Sequence, residues 1–294
     1  MVLVLAVMVS YAASKPQGWR PAVQMTPTKP PVTTPPPGPE PTPASAQPAL
    51  ATTIADIETQ YHTSIGLSVA PIASPGNVTM QPWVGGSLTT SLAWQTIDIP
   101  VAFAVASSPN QPSDLAYLLD KSIGQDSGAG DEALWQFLGT PDAAVASTLA
   151  VLAATGDVAT KIPSTSTANG SSVFSSVWWT DADAAQFMGV FFCMNSSWPV
   201  LYHMQSASQA DDDTIFGLAS LPHSLVRTSS GNPHSLVMGV TVRQIGLLTL
   251  ADGNRVGVSL SAIADDGTLD TAEKAMTVVA AQLPGLTGLG AQTC

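Results

Sequence analysis

Charged residues are scarce in this chain, and basic ones are the scarcest. Only 10% of the 294 residues are charged, with 9 Lys and Arg against 21 Asp and Glu, which gives a formal net charge of −12. Most of the basic residues that exist are spread singly along the chain. A surface this acidic repels phosphate backbones and anionic headgroups. The composition therefore argues against nucleic acid as a partner and against docking of the main part of the chain on an anionic membrane.

Cysteine and histidine are also rare, which argues against a metal centre. The chain has two cysteines, Cys193 and Cys294, and four scattered histidines, with no CxxC and no HExxH motif. A zinc site needs several such ligands at short spacing, so we expect no metal and no cofactor. The two cysteines either form one disulfide that holds the C-terminus to the body or remain separate thiols. An exported protein permits the disulfide, but spacing alone does not decide it.

The beginning of the chain divides into two segments that differ from the rest. Residues 1–14 are almost wholly apolar, and thirteen of them span about 20 Å as a helix, less than the roughly 30 Å core of a bilayer. We expect an export signal or a membrane anchor there, and an extracytoplasmic protein that contacts a membrane only through this segment. Residues 15–49 are rich in Pro and Thr, which predicts an extended, disordered stalk.

Residues 50–294 have the patterns of a single α+β domain. Helical spacing, caps and turn residues predict a first helix at 49–63, a long apolar helix ending near Ala106, and a block of helices. The C-terminal third instead predicts successive antiparallel strands and a last helix that begins with a capping box. The predicted strands are 64–72, 224–229, 235–243, 245–250 and 255–263, with 78–86 either a second strand or a loop. The other predicted helices start at the cap Ser113, near 130 and 142, at the cap Thr180, and at Asp270 with Glu273.

Five segments, in order and spacing, resemble the penicillin-recognising serine hydrolases, the family of class A β-lactamases and D,D-peptidases, and in particular its actinobacterial members. The resemblance covers most of 50–290 and implies a β-lactamase/transpeptidase-like fold, with an antiparallel sheet flanked by helices and a helical subdomain. The segments are AWQTIDIPVAFAVA (93–106), LLDKSIGQDSGAGDEALWQFLGTP (118–141), SSVWWTDADAAQFMGVFFC (175–193), FGL (216–218), and SLVRTSS with VRQIGLLTLADGNRVGVSL (224–230 and 242–260).

The residues that perform acylation in that family are replaced here. Gln95 and Asp98 stand where the S-x-x-K motif has its serine and lysine, and a carboxamide is a poor nucleophile. Asp126-Ser127-Gly128 stands at the S-D-N motif and Arg227-Thr228-Ser229 at K-T-G. None of the five lysines has a serine three residues before it, and the chain has no G-x-S-x-G. The resemblance thus implies a hydrolase scaffold without its acylating nucleophile.

The substrate cleft that the resemblance implies has two interpretations in this chain. It binds a peptide end or a glycan through Arg227, Thr228, Asp98, Gln95 and Ser127, or it is filled by side chains and binds nothing. For Arg227 the second interpretation is a strand residue paired with an acid.

Three functions follow from these interpretations. The first is a non-catalytic binding or scaffolding domain in the cell envelope, with peptidoglycan fragments or an envelope protein as partner. The second is a hydrolase with an unusual nucleophile, for which the candidates are Thr96, Ser91 and Ser127. The third is a structural envelope protein with a vestigial cleft.

Two smaller patterns have structural interpretations beside functional ones. We expect Asp211-Asp212-Asp213 to be a solvated loop, because the spaced ligand pattern of a calcium site is absent. Trp178-Trp179 either lines a sugar-binding edge or lies half in the core and half at the surface.

Overall fold

The computed structural model describes residues 47–164, 173–207, 215–231, 239–289 and 294, with main chain only at 205–207. The predicted signal or anchor at 1–14, nearly all of the predicted stalk at 15–49, and Asp211-Asp212-Asp213 lie outside these residues. The first described helix begins at Pro48, so the last two residues assigned to the stalk belong to the folded domain.

A five-stranded antiparallel sheet forms the centre of the domain. Its strand order is β2-β1-β7-β6-β5, and a separate two-stranded sheet joins β3 to β4. The strands are β1 (Thr63–Pro71), β2 (Trp83–Gly85), β3 (Thr90–Leu92), β4 (Trp178–Thr180), β5 (Leu225–Gly231), β6 (Thr241–Thr249) and β7 (Arg255–Ala264).

Eight α-helices in the described residues cover the two faces of this sheet. α1 and α8 pack on one face, and α6 packs on the other against β1 and β7. The remaining helices surround α2 in a helical subdomain beside α6. The helices are α1 (Pro48–Tyr61), α2 (Asp98–Ala106), α3 (Leu115–Leu119), α4 (Gly128–Phe137), α5 (Pro141–Ala154), α6 (Asp181–Phe191), α7 (Trp198–Ala207) and α8 (Leu269–Ala280).

Strand alternation divides the interior into two apolar clusters. Along β7, Val256, Val258 and Leu260 point into the cluster under α1 and α8. The residues between them are small and lie under α6, where a Cβ on Gly257 would come within 2.3 Å of the Ala185 carbonyl oxygen. The large apolar residues of α6 and α2 form the second cluster, on the helical side. The period of two in the strand sequence thus determines which face each helix covers.

Local details correct three of the sequence predictions. Ser113 caps no helix, because α3 begins at Leu115 after Asp114 and continues into a π-helical turn at Asp120–Gly124. Of the strands predicted at 235–243 and 245–250, residues 235–238 lie outside the described residues, and 241–249 form one strand, β6, whose pairing with β7 is continuous. At α8 the cap is Thr268, whose hydroxyl accepts the Thr271 N–H, rather than a capping box of Asp270 and Glu273.

The two cysteines form a disulfide. Cys193 follows α6 directly, and its bond to Cys294 joins residues separated by 101 positions. Of the two alternatives left open by the sequence, the structure has the paired one, and the C-terminal residue is held to the end of α6.

No helix in the described part of the chain is by itself long and apolar enough to span a bilayer. α4 and α5 together meet the length and composition criteria, but they are bent by 95° relative to each other.

Candidate functional site

The candidate site lies where α2 begins, beneath strand β5. The chain leaves β3, makes a 3-10 turn at Trp94–Ile97 and enters α2 at Asp98. Every residue of α2 is buried, and Asp98 itself is 0% exposed. The apolar segment therefore forms the central helix of the subdomain, and its first residue carries a carboxylate into the protein interior.

Arg227 meets that carboxylate from the sheet. It lies on the same face of β5 as Leu225 and Ser229, and it is 2% exposed. Its Nε and Nη2 both donate to Oδ2 of Asp98, at 3.1 and 2.5 Å. Oδ1 of Asp98 is buried and has no hydrogen-bond partner among the described residues. The pair joins α2 to β5 through a single carboxylate oxygen.

Arg227 also donates to the turn between α3 and α4. Nη2 donates to Oδ1 of Asp126 at 2.7 Å and to the Ser122 carbonyl at 3.1 Å, and Nη1 donates to the Ile123 carbonyl at 3.2 Å. The π-helical turn directs these two carbonyls at the guanidinium, and π-helical turns occur often at functional sites. Asp126 has a half-exposed side chain and a positive φ of 52°. Arg227 is thus surrounded by acceptors from its own chain.

A second buried acid supports this arrangement. Asp131, in the first turn of α4, accepts a 2.6 Å hydrogen bond from the Ser122 hydroxyl. Burial raises the pKa of Asp131 to about 6, although the Ser122 hydrogen bond and Arg227 oppose the shift. Burial also raises the pKa of Asp98, and the Arg227 guanidinium counteracts part of that rise. One cation therefore lies among three carboxylates, and burial raises the pKa of two of them.

Gln95, in the 3-10 turn before α2, is hydrogen-bonded to β5 next to the Arg227–Asp98 pair. Its main-chain N–H donates to the Ser229 hydroxyl at 3.2 Å, and that hydroxyl donates to the Gln95 carboxamide oxygen at 2.5 Å. Trp94, in the left-handed region with φ of 47°, lies against the end of β5, where a Cβ on Gly231 would come within 2.4 Å of its ring. The absence of a side chain at Gly231 makes this contact possible.

The structure brings together some of the predicted site residues and separates others. Asp98, Gln95, Arg227 and Asp126 meet at the start of α2. Thr228 instead lies on the opposite face of β5, where its hydroxyl accepts from the Gln244 amide at 3.0 Å. It is therefore not part of this site, because neighbours on a strand point to opposite faces.

The three hydroxyls considered as unusual nucleophiles have different surroundings. Thr96 is buried and donates to the Ala93 carbonyl at 2.5 Å. The buried Ser91 hydroxyl accepts from Nη1 of Arg243 at 2.9 Å. Ser127, at the N-cap of α4, is partly exposed and has no hydrogen bond from its side chain to a described residue.

Sequence reasoning missed several residues that complete the site. In the sequence, Ser229 stands out only as the third residue at the K-T-G position, although its place two residues after Arg227 on a strand puts both on one face. No motif or spacing in the sequence marks Ser122 and Asp131, because their hydrogen bond depends on the packing of the π-helical turn against α4.

Arg243 forms a second buried ion pair that the sequence did not indicate. Its Nη1 donates to the Trp179 carbonyl at 2.8 Å, and Nη2 lies 3.6 Å from Oδ1 of Asp181. Asp181 also accepts from Ser259 and Ser261. The network attaches β3 and β4 to the main sheet. Trp179 is buried and Trp178 is 47% exposed, so the tryptophan pair lies half in the core and half at the surface.

No protein-family model and no curated protein sequence matches this chain. Solved structures do match it. The TLA-3 extended-spectrum β-lactamase superposes with a TM-score of 0.59 at 14% identity, covering 80% of this chain and 97% of that one. The chain has the fold of a class A β-lactamase.

Two further structures give the same result. A β-lactamase from Chitinophaga pinensis has a TM-score of 0.59 at 12% identity, with 79% of this chain and 97% of that chain covered. A class A β-lactamase from Bacteroides cellulosilyticus has a TM-score of 0.57 at 12% identity, with 79% and 96% covered. The α+β fold with a helical subdomain is confirmed. Within the ranges that the structure describes, no group of three or more His, Cys, Asp or Glu is placed to hold a metal ion.

Proposed function

We propose that this chain is a non-catalytic domain of β-lactamase fold, with a binding or scaffolding role toward cell-wall material or a protein of the cell envelope. The observation that carries the proposal is the buried pair of Arg227 and Asp98. It occupies the place where the sequence resemblance puts the catalytic lysine and the substrate-binding cation.

The chemistry of the replaced residues supports a loss of acylation. A serine nucleophile in this family needs a neighbouring base to take its proton. The Gln95 carboxamide supplies no attacking oxygen, and its own oxygen accepts from Ser229. Burial raises the pKa of Asp98 and the Arg227 guanidinium counteracts part of that rise, but the carboxylate is bonded to Arg227 and not to a hydroxyl nucleophile. Loss of nucleophile and base together costs on the order of 10⁶-fold in rate.

The burial of Arg227 bears on where a partner binds. The Arg227 side chain is 2% exposed and is bonded to Asp98, Asp126 and two carbonyls, so its burial leaves little access for a ligand carboxylate. This supports the interpretation in which the old cleft is filled by side chains. A cell-wall or protein partner then contacts the outer surface of the domain, and the extracytoplasmic location rests on the apolar segment at 1–14 and the Pro-rich segment at 15–49.

One observation favours a second candidate, a hydrolase that uses Ser127. Of the three hydroxyls considered, this one is partly exposed and is not engaged with a described residue. It lies next to Asp126, a carboxylate that Arg227 already binds.

Covalent labelling separates the two candidates. The full chain is incubated with a fluorescent penicillin and, separately, with a fluorophosphonate probe, beside Ser127→Ala and an active class A β-lactamase. We expect no stoichiometric label on this chain while the active enzyme labels fully. Label at one equivalent that disappears in Ser127→Ala would establish the hydrolase and overturn the proposal.

Sedimentation with peptidoglycan tests the binding role. Purified sacculi are mixed with the full chain and pelleted, with bovine serum albumin, another acidic protein, as the control. Saturable co-sedimentation of this chain alone supports binding to cell-wall material. If neither sacculi nor an envelope extract retains it, the structural alternative with a vestigial cleft replaces the binding role.

A further inference from the structure

A cavity separate from the candidate site opens at the other end of β5. It has a volume of about 610 Å³, within the roughly 300–1,000 Å³ of small-molecule sites. Leu225 and Leu247 form part of its wall, at the start of β5 and late in β6. Leu225 precedes Arg227 by two residues, about 7 Å along the strand. None of the described residues that line the cavity belongs to the candidate site.

Aromatic side chains form another wall. Trp198, the first residue of α7, is 62% exposed although it is a large apolar group. Phe192, which follows α6, lies under the guanidinium of Arg255, whose Cζ is 5.0 Å from the ring centroid. Exposed tryptophan beside a cavity supplies apolar contact area for a ligand without a large entropy cost.

Arg255 is unusual in its lack of an acidic partner. All but one of the 21 acidic residues follow position 50, and only six basic residues do. Four of those six bond acid or amide side chains of the described chain: Lys121, Arg227, Arg243 and Lys274. The Arg255 side chain, exposed at the cavity, contacts the Phe192 ring and makes no hydrogen bond or ion pair to any described residue. In a chain of net charge −12, this leaves a local positive site on the cavity wall.

We propose that this cavity binds a small amphipathic organic anion. The guanidinium of Arg255 takes the carboxylate or sulfonate group, since its planar donors match a planar or tetrahedral anion. Leu225, Leu247 and Trp198 contact the apolar body of the ligand.

This site does not depend on the proposed function. It uses neither Arg227 nor Asp98, so it stands whether or not the chain acylates. Failure of the labelling experiment and failure of the experiment below are therefore distinguishable.

Two fluorescent probes that differ in charge test the proposal. Anilinonaphthalene sulfonate carries one negative charge, and phenylnaphthylamine has a similar aromatic body without it. Both are titrated into the full chain and into three variants: Arg255→Gln, Trp198→Ala and Lys274→Gln. Lys274→Gln is the matched control, because it also removes one positive charge but lies on α8 away from the cavity.

The proposal gives a definite pattern. The anionic probe binds at one equivalent, and Arg255→Gln weakens it roughly fivefold while the neutral probe changes less than about twofold. Trp198→Ala weakens both probes, and Lys274→Gln weakens neither. Decanoate, a carboxylate with an apolar chain, displaces the anionic probe from the native chain.

Other outcomes overturn the proposal. If Arg255→Gln and Lys274→Gln reduce binding of the anionic probe equally, net charge and not the cavity explains it. If both probes bind Arg255→Gln as tightly as the native chain, or if no saturable binding occurs, the cavity has no anion site. Circular dichroism of each variant confirms that the fold is retained, as expected for an exposed residue.

Discussion

At the scale of single residues, the candidate site is held by one buried ion pair. Taking Arg227 and Asp98 out of water is costly, and their attraction compensates for this only with good geometry and further hydrogen bonds. Arg227 has those further bonds, to Asp126 and to two carbonyls, whereas one oxygen of Asp98 has none within the part of the chain that the structure describes. The pair therefore contributes more to the specific position of α2 under β5 than to net stability.

Removing one member of the pair should be more harmful than removing both. Asp98→Ala leaves the Arg227 guanidinium buried without its main counterion, and we expect a loss of about 3–5 kcal/mol in the free energy of unfolding. The double variant Asp98→Leu/Arg227→Met leaves no buried charge from this pair and should recover at least half of that loss. Urea denaturation of the single and double variants measures the coupling. Additive losses would show that the two side chains do not interact energetically.

Asp131 should give the stability a distinct pH dependence. Burial raises the pKa of Asp131 from 3.8 to about 6. Between these two values the carboxyl group is protonated in the folded chain and ionised in the unfolded chain. Its favourable contribution is complete below about pH 4 and is lost as the pH rises through 6. Asp131→Asn, which keeps an acceptor for Ser122, should gain up to about 3 kcal/mol relative to the native chain between pH 4 and 7.

Unfolding free energies at several pH values test this, with Asp114→Asn as a control for the change in net charge at an exposed position. A constant difference between Asp131→Asn and the native chain across this range would contradict the prediction.

At the scale of elements, the close packing of α6 on the sheet organises the domain. A Cβ on Gly257 of β7 would lie 2.3 Å from the Gly189 nitrogen of α6, and one on Gly189 would lie 2.5 Å from the Pro71 carbonyl oxygen of β1. Main-chain atoms, not flexible side chains, oppose these additions. The helix therefore lies at a distance from the sheet that only small residues permit.

A methyl group at this contact should move the helix. We expect Gly257→Ala to destabilise the fold by about 3 kcal/mol, because main chain has to shift to accommodate the new Cβ. Gly128→Ala is the matched control: it makes the same change at the start of α4, where no atom lies within 4 Å of the new Cβ. That substitution should be neutral or stabilising by up to about 1 kcal/mol. Equal chemical denaturation midpoints for the two variants would refute the close-packing argument.

At the scale of the whole molecule, the Cys193–Cys294 bond limits the freedom of the unfolded chain. It closes a loop with a sequence separation of 101, and loops of this size give about 2–5 kcal/mol in the chain-entropy model and in measurements. The bond also holds the C-terminal residue next to α6, beside the Arg255 cavity wall at Phe192.

Loss of this bond should lower the melting temperature by about 5–15 °C. Cys193→Ser alone and the double variant with Cys294→Ser should melt at the same temperature, because either change removes the whole cross-link. Calorimetry with and without dithiothreitol provides an independent measurement on the native chain. An unchanged melting temperature under reducing conditions would mean that the bond does not stabilise the fold.

Much of the fold was predictable because it depends on local features of the sequence. Apolar runs, caps and turn residues indicated the single α+β domain, α2, α5, α6 with its Thr180 cap, and strands β1, β5 and β7. The cap at Ser113 and the capping box at Asp270 and Glu273 were wrong, because several polar residues near a helix start compete and packing selects among them. The site was predictable only as a set of replaced motif positions.

The order of residues alone determined the fold class, the strand faces and the replacement of serine and lysine by Gln95 and Asp98, since these depend on spacing and residue type. Contacts between distant segments were decided only by the tertiary structure. It brought Arg227 to Asp98 across 129 positions, turned Thr228 away, and paired Cys193 with Cys294. Such contacts depend on how helices and strands pack, and no local pattern along the chain encodes that geometry.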